Sequence, residues 1–206
     1  MEDRVVDSRI NDKRLEKGNE TYTRILISAI NLIAENGISG LSASKLSDLS
    51  NVSKSTIFHH FKSTQEIPEA TLKLIMEKMI KPIDDLKDVN LVEFLDALGA
   101  SVINISEDYK KMYKSFFSFY HESMFNKTYQ KIMGEFLEGS KASLTNQIKK
   151  LSNKTLSDQE ARTFSTLIIA TLDGIGMHIL MGGERDEYLK AWNLQVKFIC
   201  DMLNNN

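Results

Sequence analysis

The residues best suited to chemistry are densest between Ser42 and Lys62, which read SASKLSDLSNVSKSTIFHHFK. Lys45, Lys54 and Lys62 are opposed there only by Asp48, and Ser44, Ser53, Ser55, Thr56, His59 and His60 add short polar donors. Cations interleaved with hydroxyls and imidazoles suit phosphate oxygens and base edges. Ser53, Lys54, Ser55 and Thr56 also crowd the start of a helical pattern, where free N–H groups and the positive end of the helix dipole attract phosphate. Periodicity alone fits an ordinary exposed helix of a bundle equally well.

Two short elements must position this set. Ala43 to Ser50 places Leu46 and Leu49 at helical spacing, and Lys54 to Phe61 does the same with Ile57 and Phe61. Ser42 and Ser53 stand at the two N-cap positions, where a serine oxygen accepts an orphan N–H of the first turn. Neither piece is long enough to hold alone, so Leu46, Leu49, Val52, Ile57 and Phe61 must be buried against each other and a third helix. That helix is Glu20 to Asn36, with Ile25, Leu26, Ala29, Ile30, Leu32 and Ile33 recurring at helical spacing and Gly37 as a left-handed stop. The result is a helix-turn-helix.

Together with the helix before it and Phe61-Lys-Ser-Thr-Gln-Glu-Ile67 after it, this stretch resembles the N-terminal domain of tetracycline-repressor (TetR) family transcription regulators. Glu35, Gly37, Val52, Ser53, Phe61, Ser63 and Glu66 match that family's pattern in register. The resemblance implies DNA contacts from Ser44, Lys45, Ser53, Lys54, Ser55, Thr56, Phe58, His59, His60 and Lys62, with Thr21, Thr23 or Arg24 at the backbone. It also implies a second, helical domain that binds an effector and dimerises through its last two long helices. Departures are equally visible. Ser50-Asn51 replaces a usual Ala-Gly, Ser55 a usual Gly, Thr64 a usual Lys, and Phe58 a Tyr that offers its hydroxyl to a phosphate. His59 and His60 could replace that donor, so operator affinity is expected to strengthen as pH falls through the histidine range.

Composition narrows the class. Two prolines and ten glycines in 206 residues, with aliphatic periodicity nearly throughout, indicate an all-α protein. The formal net charge of -2 excludes a histone-like binder that relies on bulk positive charge. The single cysteine, Cys200, forms no intrachain disulfide and reads as a small apolar residue of a cytoplasmic protein. The first residues mix acids and bases without an apolar core, unlike a signal peptide. None of His59, His60, His121 or His178 has a glutamate three residues before it, and no His-Glu-x-x-His, P-loop or Cys-x-x-Cys occurs. A catalytic bundle is therefore not expected, and no metal or cofactor is assigned.

Residues 1–18 balance acids and bases as a flexible arm does, residues 19–66 form the helix-turn-helix domain, and residues 67–206 form the second domain. Ser63 and Glu66 have capping-box spacing for a helix to about Lys81. Pro68 is either a shaped joint in that helix or a tolerated N-terminal proline, and Pro82 is expected to stop or kink it. Helices follow over Leu91 to Ile105, Tyr109 to Phe125, and Phe125 or Asn126 to Leu151, the last either continuous or interrupted. Tyr113, Phe116, Phe117, Tyr120, His121, Phe125, Tyr129, Met133 and Phe136 cluster in this region, more aromatic and Met surface than one face can bury, and so suggest a pocket for a hydrophobic small molecule.

The run FSTLIIATLDGIGMHILMGG is apolar nearly all round and invites a membrane reading. Asp173 and His178 interrupt it, and a central Asp alone costs roughly 2.5 to 3.5 kcal/mol in a bilayer. Paired with a final apolar helix from Asp186 or Glu187, it suits a symmetric four-helix dimer interface through Ile168, Leu172, Ile175, Ile179, Trp192, Val196 and Ile199. The expectation is a homodimeric repressor that binds double-stranded operator DNA and is released by a hydrophobic effector. A second domain that binds a protein partner instead is the alternative.

Overall fold

The computed structural model of the chain describes residues 2–84, 86 and 88–204, with side chains described for 15–80, 86 and 88–203. The described residues form nine α-helices and one 3-10 turn, with no strand among them. The helices are α1 (Glu2–Asn36), α2 (Ala43–Ser50), α3 (Lys54–His60), α4 (Glu66–Asp84), α5 (Leu91–Ile103), α6 (Glu107–Ser123), α7 (Lys127–Leu151), α8 (Asp158–Leu180) and α9 (Arg185–Asn204). Two compact units result, Met1–Ile75 and Met76–Asn206. The division falls inside α4 and not at residue 66, because Ile67, Ala70 and Leu74 pack into the core of the first unit.

In the first unit the backbone is helical from Glu2, so the charge-balanced leading segment continues into α1 without a break. Gly37, at φ 68°, ends α1 in the left-handed region. Ser42 and Ser53 cap α2 and α3, accepting the N–H groups of Lys45 and Thr56. Ile25, Leu26, Ala29, Leu32, Leu46, Ile57, Phe61 and Ile67 form one core. Leu49 departs from expectation, at 51% exposed. The inward stripe of α2 runs through Ala43, Leu46, Ser47 and Ser50, spaced i, i+3, i+4, i+7, and Leu49 lies off it.

α4 starts with Glu66, whose carboxylate accepts the N–H of Lys62 at 2.9 Å, and no hydroxyl cap from Ser63 accompanies it. Pro68 thus stands in the first turn, where the backbone donors have no intrahelical partner to lose. The helix continues to Asp84, so Pro82 lies in its last turn and does not end it.

The second unit gathers α5 to α9 and the end of α4 around one core. α5 and α8 begin with full capping boxes, Asn90 with Glu93 and Ser157 with Glu160. α7 is uninterrupted, and its Glu138 pairs with Lys141 and with Arg162 of α8. Gly176 meets Val102 and Phe117, whereas Gly174 faces open space. Among the described residues α8 alone is long and apolar enough to cross a membrane by length and composition. One stripe of it, Ala161, Ser165, Ile168, Ile175 and Ile179, is buried within the unit.

Trp192, 1% exposed, donates its indole N–H to the Leu95 carbonyl at 3.1 Å. A Cβ on Gly99 would strike that indole ring, so glycine sets the approach of α5 to α9. Gly99→Ala is expected to destabilise the protein by ~1–3 kcal/mol in denaturant unfolding. Gly174→Ala, in open space on α8, should be neutral or slightly stabilising in the same measurement.

Candidate nucleic-acid interface and ligand cavity

The turn between α2 and α3 is held by polar groups of its own. Asn51 takes a left-handed conformation, φ 52°, which Asn tolerates better than most residues where the resembled pattern has Gly. The Ser47 hydroxyl donates to the Val52 carbonyl at 2.6 Å, and Val52 N–H returns to the Ser47 carbonyl. Ile57 and Phe61 point α3 inward at its middle and end, with Tyr22 of α1 stacked on Phe61 at 5.1 Å.

What α3 leaves outside is the expected set. Ser53, Lys54, Ser55, Phe58, His59 and Lys62 are exposed, as are Ser44 and Lys45 on α2 and Thr23 and Arg24 on α1. Thr56 and His60 are only half-exposed. The Ser53 hydroxyl is committed to the helix start, hydrogen-bonding the hydroxyls of Ser55 and Thr56 at 2.7 and 2.8 Å. His60 lies against Tyr22, and burial, then neighbouring His59, lower its pKa below the ordinary histidine value. His60 is therefore a weak source of positive charge near neutral pH. Phe58 remains 48% exposed, an apolar ring among cations and hydroxyls. The surface can neutralise phosphates through its lysines and present hydroxyl, imidazole and ring to base edges.

The second unit encloses a cavity of about 330 Å³ between α5, α6, α7 and α8 and the end of α4. Tyr113, Phe116, Tyr120, Met133 and Phe136 of the aromatic cluster line it. The other expected residues do not. Phe117 packs into the core, Tyr129 stands edge-on to Phe119 at 5.4 Å, His121 is exposed beside Glu122, and Phe125 is 77% exposed. α6 ends at Ser123, so Phe125 falls in the bend before α7, outside any inward stripe.

Asp173 is the wall residue that sequence reasoning missed. It lies inside the cavity's α8 wall and accepts the Tyr120 hydroxyl at 3.4 Å. Burial raises its pKa to about 6, with the Tyr120 hydrogen bond opposing the rise. The phenols of Tyr113 and Tyr120 are pushed up in turn, by burial first and Asp173 second. Ser140, Ser143 and Gln147 of α7 also line the cavity. Their spacing with Met133 and Phe136 continues one helical stripe, a signal present in the sequence and overlooked because the stripe changes from apolar to polar.

The residues expected at a dimer interface sit elsewhere. Ile168, Ile175, Ile179, Trp192, Val196 and Ile199 are no more than 6% exposed in the single chain and belong to its core. Leu172 lines the cavity. The reason is that Trp192, Val196, Ile199 and Leu203 make a continuous inward stripe on α9. Leu194, Phe198 and Met202, spaced i, i+4, i+8, make a second, exposed one, and Leu167, Met177, Met181 and Leu189 are exposed as well.

A helix-turn-helix whose second helix presents cations and hydroxyls to solvent thus precedes a helical unit with an apolar cavity. Residues 25–71 match the family model of bacterial regulatory proteins of the tetR family. The fold is that of solved TetR-family regulators, and the segment matched to the family model spans the helix-turn-helix. A transcriptional regulator from Rhodococcus sp. Rha1 superposes with a TM-score of 0.77 at 17% identity, over 90% of this chain and 98% of that one. A TetR transcription regulator from Haloarcula marismortui ATCC 43049 gives 0.73 at 12%, over 90% and 98%. A regulator from Saccharomonospora viridis, in complex with choline, gives 0.70 at 20%, over 87% and 96%. At such identities the likeness is one of fold. The matched family and these structures are regulators, not enzymes. No curated protein sequence matches the chain.

Asp173→Asn tests the strain of the buried carboxylate. An acid whose folded pKa is raised costs nothing while protonated in both states, and the cost grows as pH rises from about 4 through about 6. The variant should therefore gain ~1–3 kcal/mol of stability at pH 7.5 and little at pH 4, read from melting temperatures across that range.

Proposed function

We propose that the chain is a homodimeric, sequence-specific DNA-binding regulator of the cytoplasm, a repressor released from its operator by a small molecule held in the second unit. The observation that carries this reading is the exposed cation and hydroxyl face of α3 within the segment matched to the family. Lys54 and Lys62 neutralise phosphates beside the start and end of α3, Arg24 and Thr23 reach the backbone, and Ser55, Phe58 and His59 meet the groove. Phe58 substitutes apolar contact, suited to a thymine methyl, for a phosphate hydrogen bond. The leading segment before residue 19 acts as an arm along the same DNA.

A local positive face on a chain of net charge -2 binds weakly as one copy. Two copies joined in a symmetric dimer place two recognition helices on half-sites set by the DNA repeat. The second exposed stripe of α9, Leu194, Phe198 and Met202, with Leu167, Met177 and Met181 of α8 and the turn after it, supplies the apolar surface for that dimer. The cavity favours a small-molecule effector over a protein partner, and the choline complex of the Saccharomonospora viridis regulator is an instance of such a ligand on this fold. The effector binds the DNA-incompetent state more tightly, by the same factor by which DNA weakens its binding.

Selection from random duplex DNA at physiological salt should recover a two-fold symmetric site. On that site Lys54→Ala should weaken binding and lower the slope of log affinity against log salt by about 1 per protomer. Recovery of no preferred sequence overturns the reading. Leu194→Glu with Phe198→Glu should yield a folded monomer by sedimentation, with operator affinity falling at least about a hundredfold. A dimer that persists in this variant refutes the assigned surface.

A further inference from the structure

We infer that the cavity of the second unit takes an organic cation, a quaternary or protonated amine with apolar substituents, whose charge sits between the Asp173 carboxylate and the aromatic rings of α6 and α7. This deepens the effector reading above and rests on it. The argument begins with an imbalance. Asp173 is the one carboxylate among the lining residues, and none of the others is Lys, Arg or His. Its single hydrogen-bond partner in the cavity is the Tyr120 hydroxyl at 3.4 Å, while an ionised carboxylate offers about four acceptor positions. A carboxylate enclosed this way loses water without gaining a counter-charge, a cost that a cationic ligand removes on binding.

The surrounding rings supply the second half of the site. Phe116 stands edge-to-face with Tyr120 at 5.8 Å and 66°, and with Phe136 at 5.9 Å and 65°. All three rings line the cavity, where an aromatic face attracts a soft cation and an apolar wall accepts its alkyl groups. A neutral ligand would use the apolar rings but leave Asp173 uncompensated, and an anion would be repelled by it. The lining serines and glutamines, Ser101, Ser123, Gln130, Ser140, Ser143 and Gln147, are neutral donors and acceptors and do not replace the missing positive charge. The volume of about 330 Å³ is at the small end of ligand pockets, which sets the size of a compact amine with one ring or a few short chains.

The test uses the full-length protein and two probes of one shape, benzyltrimethylammonium and its uncharged carbon isostere neopentylbenzene, with binding followed by calorimetry. The cation should bind the unmodified chain at least about tenfold more tightly than the isostere. Asp173→Asn should erase that preference while leaving the isostere's affinity unchanged. Asp173→Glu should retain part of it, with melting temperatures confirming that both variants fold. Equal binding of the two probes, cation binding unaffected by Asp173→Asn, or no binding of the cation each overturns the inference. Operator release is read separately. Asp173-dependent binding that leaves an operator complex intact upholds the cavity chemistry and overturns the effector reading, whereas release by neutral ligands alone does the reverse.

Discussion

Burial of Ile57 and Phe61 beneath α3 is the contact on which the reading surface depends. α2 has eight residues and α3 seven, well below the ~12–15 at which an isolated helix becomes even marginal in water. Neither holds its shape without the α1 face formed by Ile25, Leu26, Ala29 and Leu32. The exposed residues of α3 therefore inherit their position from residues buried beneath them. Such a division lets the outward face change while the scaffold stays fixed.

α8 answers to three environments at once. One stripe, with Ile168, Ile175 and Ile179, enters the core, a second, with Ile169, Leu172 and Asp173, walls the cavity, and Leu167 and Met177 face outward. At about 100° per residue these stripes occupy most of the helix circumference. That is why its composition passes a test for membrane spans. The polar break at Asp173 falls on the cavity side, where a carboxylate meets phenols and rings instead of hydrocarbon.

The helix-turn-helix was legible in detail because its signals are local. Caps at Ser42 and Ser53, the stop at Gly37 and the inward Ile57 and Phe61 all lie within a few residues of the effects they cause. The second unit was legible as helices but less so as surfaces. An apolar residue on α9 reads the same whether it turns toward α5, as Trp192 and Val196 do, or outward, as Phe198 does. Only the packing partner decides between them, and that partner is far away in sequence. Asp173 was visible as an anomaly in an apolar run. Its pairing with Tyr120, across fifty-three positions, was not.

Trp192 carries one more consequence. It is the single tryptophan of the chain, sealed between α5 and α9 with its N–H on the Leu95 carbonyl. The first unit has none. Intrinsic indole emission therefore belongs wholly to the second unit, a native optical label at the seam where Gly99 admits the ring. Emission from the unlabelled protein thus reads the packing of that seam without any added dye.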